Sequence, residues 1–140
     1  MGLQKIIDDL RQETNVFRTT LRLEVEDGTF PIAVESLGEG AGSLKGPTPF
    51  DLRQTATFKW LEEEQRILVQ PDVREGPAPP MQLIELYGTL SQMLAPVMRD
   101  GRMIGIISVH HAAEPREWTG QEIEAIERAQ RLVETELNQA

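Results

Sequence analysis

The chain has only two histidines, His110 and His111, and they are adjacent. On a strand, neighbouring side chains point to opposite faces. The pair therefore cannot converge on one metal ion without a bulge, and no third ligand of fixed type accompanies it. Two readings stay open: one histidine faces a pocket, or a hydrogen-bonded histidine closes a strand end. Ser91 or Ser108 with Asp51 or Asp72 supplies the residue types of a nucleophilic triad, but neither serine sits in a G-x-S-x-G turn. Glu62, Glu63 and Glu64 end an amphipathic stretch and read as a solvated face rather than an acid–base pair. The chain has no cysteine, so thiolate nucleophiles, disulfides, Cys-based zinc sites and thiol-linked cofactors are excluded together. No catalytic residue, metal site or cofactor is assigned.

Binding remains. A small-molecule site is a concave, mostly apolar surface with a few polar groups that fix orientation. Alternation along MIGIISVHH puts Ile106, Ser108 and His110 on one face, and Ile107, Val109 and His111 on the other. The first set offers an apolar floor, a hydroxyl and an imidazole in a row. Trp60 and Tyr87 lie in segments that would cover such a sheet and are the candidate walls, with plain core packing as the alternative for each. The candidate ligand site is therefore Trp60, Tyr87, Ile106, Ser108 and His110. A flat ligand with one polar edge, an aromatic or heterocyclic acid, suits it.

The elements that must position these residues follow from periodicity. Leu3, Ile6, Ile7 and Leu10 predict an amphipathic helix. FRTTLRLEV alternates as a half-buried strand, with Phe17, Thr19, Leu21, Leu23 and Val25 inward and Arg18, Thr20, Arg22 and Glu24 outward. Asp27-Gly28 turns it into a second strand, PIAVESL. After a Gly/Pro-rich loop over 38–49, a helix is expected with Thr48 as cap, Pro49 at its first position and a stripe of Leu52, Ala56 and Trp60. ILVQP is a short strand, 74–80 a second breaker-rich loop, and MQLIELYG a helical turn or two. A second hairpin turns at Asp100-Gly101, and its apolar strand MIGIISV belongs in the sheet centre. Trp118, Thr119, Glu122 and Ile123 form a capping box with a hydrophobic staple, starting a last helix whose stripe carries Ile126, Val133 and Leu137. The expected fold class is α+β: one antiparallel sheet with the two terminal helices packed together on one face and the intervening segments on the other.

Bulk properties agree. The chain has 140 residues, the size of one domain, and a formal charge of −9. Its basic residues are scattered, which argues against nucleic acid or an anionic membrane as partner. The start MGLQKIIDDL is too short and acidic for a signal peptide, and no window approaches a membrane span, so the expected location is cytoplasmic.

The stretch MLAPVMRDGRMIGIISVHHAAEPREWTGQEIEAIERAQRLVETEL resembles the C-terminal half of GAF domains. The features shared are Pro96, Asp100-Gly101, Gly105, Pro115, Trp118-Thr119 and Glu122. TFKWLEEEQRILVQPDV is similar to the mid-domain helix, strand and Pro-Asp turn of small bacterial members. The resemblance covers nearly the whole chain and implies a single GAF-like domain over 1–140. It implies a central antiparallel sheet with helices on both sides, a ligand pocket on one side and a dimer bundle through the terminal helices. GAF domains bind cyclic nucleotides, bilins, haem, small acids or aromatics. The His110-His111 pair resembles the histidine pair of bilin-binding relatives, whose first histidine faces the chromophore. Those relatives attach the bilin through a cysteine and carry an Asp-Ile-Pro turn, and both are missing here. The Asn-Lys-Phe-Asp-Glu motif of cyclic-nucleotide binders and the cysteines of GAF-type methionine sulfoxide reductases are also missing. The expectation is a sensory module that binds a small organic ligand non-covalently, paired as a homodimer through its terminal helices. A ligand-free pairing scaffold is the alternative, and an enzyme of unknown reaction stands behind both.

Overall fold

The structure, a computed structural model, describes residues 2–46, 51–77, 84 and 88–139. The expected cap at Thr48 and Pro49, most of the short helix MQLIELYG and the candidate wall residue Tyr87 lie outside the described residues.

The N-terminal stripe forms helix α1 (Leu3–Thr14), which buries Ile6, Ile7 and Leu10 and ends at Asn15 in the left-handed conformation. Strands β1 (Arg18–Leu23) and β2 (Ile32–Leu37) form the first hairpin. After the loop, Asp51 caps a single 3-10 turn over Leu52–Gln54, and a new cap at Thr55 starts helix α2 (Ala56–Glu64). Strand β3 (Leu68–Gln70) follows. Strands β4 (Ser91–Arg99) and β5 (Arg102–His111) form the second hairpin, and helix α3 (Gly120–Asn138) closes the chain. The β4–β5 turn has both Asp100 (φ 53°) and Gly101 (φ 78°) in the left-handed region. That is the geometry whose twist matches a tight hairpin.

All neighbouring strands are antiparallel, in the order β2-β1-β5-β4-β3. The near-continuously apolar β5 is central, as its composition demands. α1 and α3 lie on one face, over Leu21, Met93, Ala95, Val97, Ile107 and Val109. α2 covers the other, where Phe58 and Leu61 meet Leu68, Leu94, Met103 and Ile106. This is the expected α+β layering.

Two expectations are corrected. The polar face of β1 is not solvated: Arg18 is 2%, Thr20 1% and Arg22 6% exposed. The alternation was read correctly, but the second layer lies over the face assigned to water. The single helix stripe Leu52–Ala56–Trp60 is also broken, because Thr55 is extended (φ −75°, ψ 151°) and restarts the helix. The buried stripe of α2 is instead Thr57, Phe58 and Leu61.

The capping box of α3 forms as expected: the Thr119 hydroxyl accepts from the Glu122 N–H, and Glu122 accepts from the Thr119 N–H. Trp118 is buried in the core beneath α3. Arg116 joins several elements at this end. Its guanidinium stacks on Trp118 at 4.5 Å, donates to Thr14 O at 2.7 Å and pairs with Glu122. The helical layer fills itself: Ile126 and Val133 are fully buried in this chain's own core. Both side chains are thus taken up within this chain, so a pairing through the terminal helices would use other residues.

Candidate functional site

Alternation on four adjacent strands brings one set of side chains to the α2 face. The register aligns them in rows. Arg18, His110, Gln92 and Gln70 make one row across β1, β5, β4 and β3. Thr20, Ser108, Leu94 and Leu68 make the next, and Arg22 pairs with Ile106 in the third. The first row is a buried polar chain. Arg18 Nε donates to His110 Nδ1 at 3.0 Å, and Gln92 Nε2 donates to Gln70 Oε1 at 2.7 Å. Arg18 also donates to Gly42 O at 3.1 Å and reaches Thr89 Oγ1 at 3.5 Å. Arg22 donates to Phe30 O at 2.8 Å.

Between this floor and α2 lies a cavity of about 70 Å³. Ile106, Ser108, His110, Leu94, Gln92 and Arg22 line it from the sheet. Phe58, Thr57, Thr55 and Leu52 line it from the covering segment, with Val73, Ile84 and Thr89 at its edge. Phe58 is held by the Thr55 cap, whose hydroxyl accepts from the Phe58 N–H at 3.3 Å, and by an edge-on contact with Phe30 at 5.0 Å. Arg53 pins this roof to the first hairpin: it donates to Gly28 O at 3.0 Å, pairs with Glu24 and lies over the Phe30 and Phe58 rings.

Two guanidiniums, those of Arg18 and Arg22, act on His110. Burial, then the Arg18 and Arg22 guanidiniums, hold the His110 imidazole well below its ordinary range, so it is neutral. Nδ1 accepts from Arg18, hence the ring proton is on Nε2 and the imidazole is a donor there. His111 points to the helix face, edge-on to Trp118 at 6.5 Å.

Of the residues assigned from sequence, Ile106, Ser108 and His110 come together in the cavity wall. Trp60 does not line it. One face of α2 cannot carry both Phe58 and Trp60, two positions apart. Phe58 turns inward, while Trp60 is half-buried with its ring under Arg66 at 4.9 Å. Sequence reasoning missed Arg22, Phe58, Gln92 and Thr89. A signal for Arg22 was present, because the same alternation that groups His110 with Ser108 groups Arg18, Thr20 and Arg22.

The chain matches the GAF domain family over residues 2–137. It belongs to that family. GAF-fold structures similar to it include the GAF domain of the cyanobacteriochrome TePixJ. That likeness has a TM-score of 0.81 at 16% identity and covers 98% of this chain and 87% of that one. The chromophore-binding domain of the bacteriophytochrome RpBphP3 from R. palustris has a TM-score of 0.79 at 17% identity, over 97% of this chain and 53% of that one. A domain of a putative two-component sensor histidine kinase protein from Sinorhizobium meliloti has a TM-score of 0.71 at 16% identity, over 98% and 88%. No curated protein matches the chain at a significant level. At these identities the likeness establishes the fold of this GAF domain. Among the described residues no helix is long and apolar enough to cross a membrane, and no group of three His, Asp or Glu side chains could hold a metal ion.

Proposed function

We propose that this GAF domain is a sensory module that binds a small organic molecule non-covalently between its sheet and α2. One observation carries the reading. Arg22, Gln92, Ser108 and His110 line a cavity whose other walls are largely aliphatic and aromatic. Buried polar groups of this kind cost stability that an apolar core would not, so a binding role accounts for their presence. The relatives include a cyanobacteriochrome and a chromophore-binding domain. A chromophore of that sort does not suit this chain. It has no cysteine, and about 70 Å³ is far below the roughly 300–1,000 Å³ of drug-sized sites.

The module acts without chemistry of its own. Ser108 and His110 are two positions apart on one strand, and neither Ser91 nor Ser108 sits in a G-x-S-x-G turn. His110 Nδ1 already accepts from Arg18, and two guanidiniums depress its basicity. A signal leaves through the helical layer, where the half-buried Leu3, Leu132 and Leu137 at its margin are what a second copy or an output helix would meet.

The small volume favours one competing reading, a ligand-free pairing scaffold. Replacing Ser108 by Phe separates the two. On the binding reading, the purified protein carries a small molecule in native mass spectrometry or gains thermal stability from a metabolite panel, and Ser108→Phe abolishes either effect while keeping the fold. A wild-type protein that gains nothing from any panel member and carries nothing overturns the binding reading.

A further inference from the structure

The polar groups of the cavity wall divide into those the protein already uses and those it does not. Thr55 donates to Leu52 O at 2.6 Å and shares a hydrogen bond with Thr57, and Thr89 accepts from Arg18. His110 accepts from Arg18, Arg22 donates to Phe30 O, and both have further partners. Two groups remain. Ser108 Oγ and Gln92 Oε1 line the cavity without a hydrogen-bond partner among the described residues, although both side chains belong to residues only 6% exposed. Neighbours fix which end of the Gln92 amide is unmet. Gln70 Nε2 donates to Glu75 O at 3.0 Å and to Pro77 O at 3.4 Å, and a carbonyl can only accept. Gln70 therefore turns its oxygen to Gln92, which donates through Nε2 at 2.7 Å and keeps its own oxygen as an acceptor in want of a donor. Buried polar atoms normally have a partner, here one the described protein does not supply. Ser108 stands opposite Leu94, so Gln92 is its diagonal neighbour at roughly 7–8 Å between Cα atoms, a gap that one bound hydroxyl or amide group can bridge. Among the described lining residues Arg22 is the one full charge, and it is engaged; none is a carboxylate. An ion of either sign would lose its hydration there without meeting a free counter-charge. The volume, about 70 Å³, holds roughly five to seven water-sized atoms at 10–15 Å³ each.

We propose that the ligand is a short, neutral aliphatic molecule carrying a hydrogen-bond donor, the chemistry shared by small alcohols and carboxamides. Its polar head donates to Gln92 Oε1 and accepts from the Ser108 hydroxyl, and its tail lies against Phe58 and Leu94. This deepens the small-molecule reading above and rests on it. An aromatic acid, which suited the residue types alone, is charged and too large for this space.

The test is a titration of the isotope-labelled full chain with butan-1-ol and with butanamide. It is followed in two-dimensional amide NMR spectra at the Gln92 side-chain amide and the Ser108 backbone amide. Butanone, which has no donor, and butanoate and butylammonium at matched ionic strength are the comparisons. The alcohol and the amide should both give saturable shifts at these two groups, and the two ions should give none. Butanone should bind at least about threefold more weakly than butan-1-ol, the scale of one lost neutral hydrogen bond. Ser108→Ala should weaken butan-1-ol by a similar factor, since Ser108 has only its hydroxyl to lose, and the same spectra report whether the variant is folded. Equal binding of butanone overturns the donor claim, and unchanged affinity in folded Ser108→Ala overturns the contact with Ser108. Equal binding of either ion overturns the claim of neutrality; each of these results leaves a small-molecule site. No saturable shift from the alcohol or the amide overturns the proposal, while a different bound molecule in native mass spectrometry would still leave the small-molecule reading standing.

Discussion

His110 makes a titration prediction with a definite sign. Its folded-state affinity for protons is depressed by burial, Arg18 and Arg22, whereas in the unfolded chain it titrates near about 6.5. Below that value the unfolded state binds a proton that the folded state refuses. Stability is therefore fully present above about pH 6.5 and is lost as pH falls, by up to about 1.4 kcal/mol per pH unit. Thermal melts between pH 7.5 and 5.5 should show the fall. His110→Asn, whose side-chain oxygen can accept from Arg18, should flatten most of it, leaving the smaller share of His111, which burial and Arg116 also lower. Asp72, held down to about 2 by Arg74, is lost only at much lower pH and does not overlap this window. At this scale the sequence was most informative where alternation alone decides. It placed Ile106, Ser108 and His110 on one face and His111 on the other. It could not show that a second layer would cover Arg18 and Arg22, because a buried arginine and a solvated one have the same period along a strand.

Helix boundaries illustrate a competition between similar signals. Thr48-Pro49 and Thr55 both have the residue types of a helix start, and a stripe at steps of four ran through both. Thr55 wins for α2, and moving the start changes which aromatic faces inward. Thr55→Ala should cost about 1 kcal/mol in denaturant melts and loosen the roof at Phe58, because the hydroxyl that accepts from the Phe58 N–H is lost. The α3 cap was legible because box, staple and apolar stripe all pointed to one register. At Gly105 β5 leaves no room for a side chain against β1. A methyl group there would lie 2.6 Å from Arg22 O and 2.9 Å from Leu23 Cδ2. Gly105→Ala should therefore destabilise by about 1–3 kcal/mol, and it should shift the Arg22 backbone and so the cavity wall. Unchanged melts for this variant would contradict the packing described.

On the scale of the whole chain, the layering of the fold was readable because both terminal helices and both hairpins carry strong periods. The use of the helix stripe was not, since an apolar stripe looks the same whether it meets a sheet or another subunit. Ile126→Glu and Val133→Glu now separate those cases. With both residues fully buried in this chain's own core, each should unfold the protein, visible as loss of the cooperative circular-dichroism transition. Folded monomers from either variant, derived from a dimeric parent in sedimentation, would restore pairing through that stripe. The outer side of the layer is instead charged, with Glu13 and Arg128 paired between α1 and α3 at 2.7 Å.

Arg116 has a mechanical consequence. It fastens the last carbonyls of α1 to the first turn of α3, at the end where β5 finishes with His111. Glu13 lies by Arg128 and Ile6 shares a groove with Leu132, so the two helices are antiparallel and extend side by side from that fastening. α1 extends about 18 Å from it. At the far end α3 is tied to β4 instead, where the Met98 N–H donates to Glu134 at 2.7 Å and Arg99 donates to Leu137 O at 3.2 Å. A small rotation of the end of β5 would therefore reach both helices together through Arg116, with the turn end of the β4–β5 hairpin as the opposite anchor.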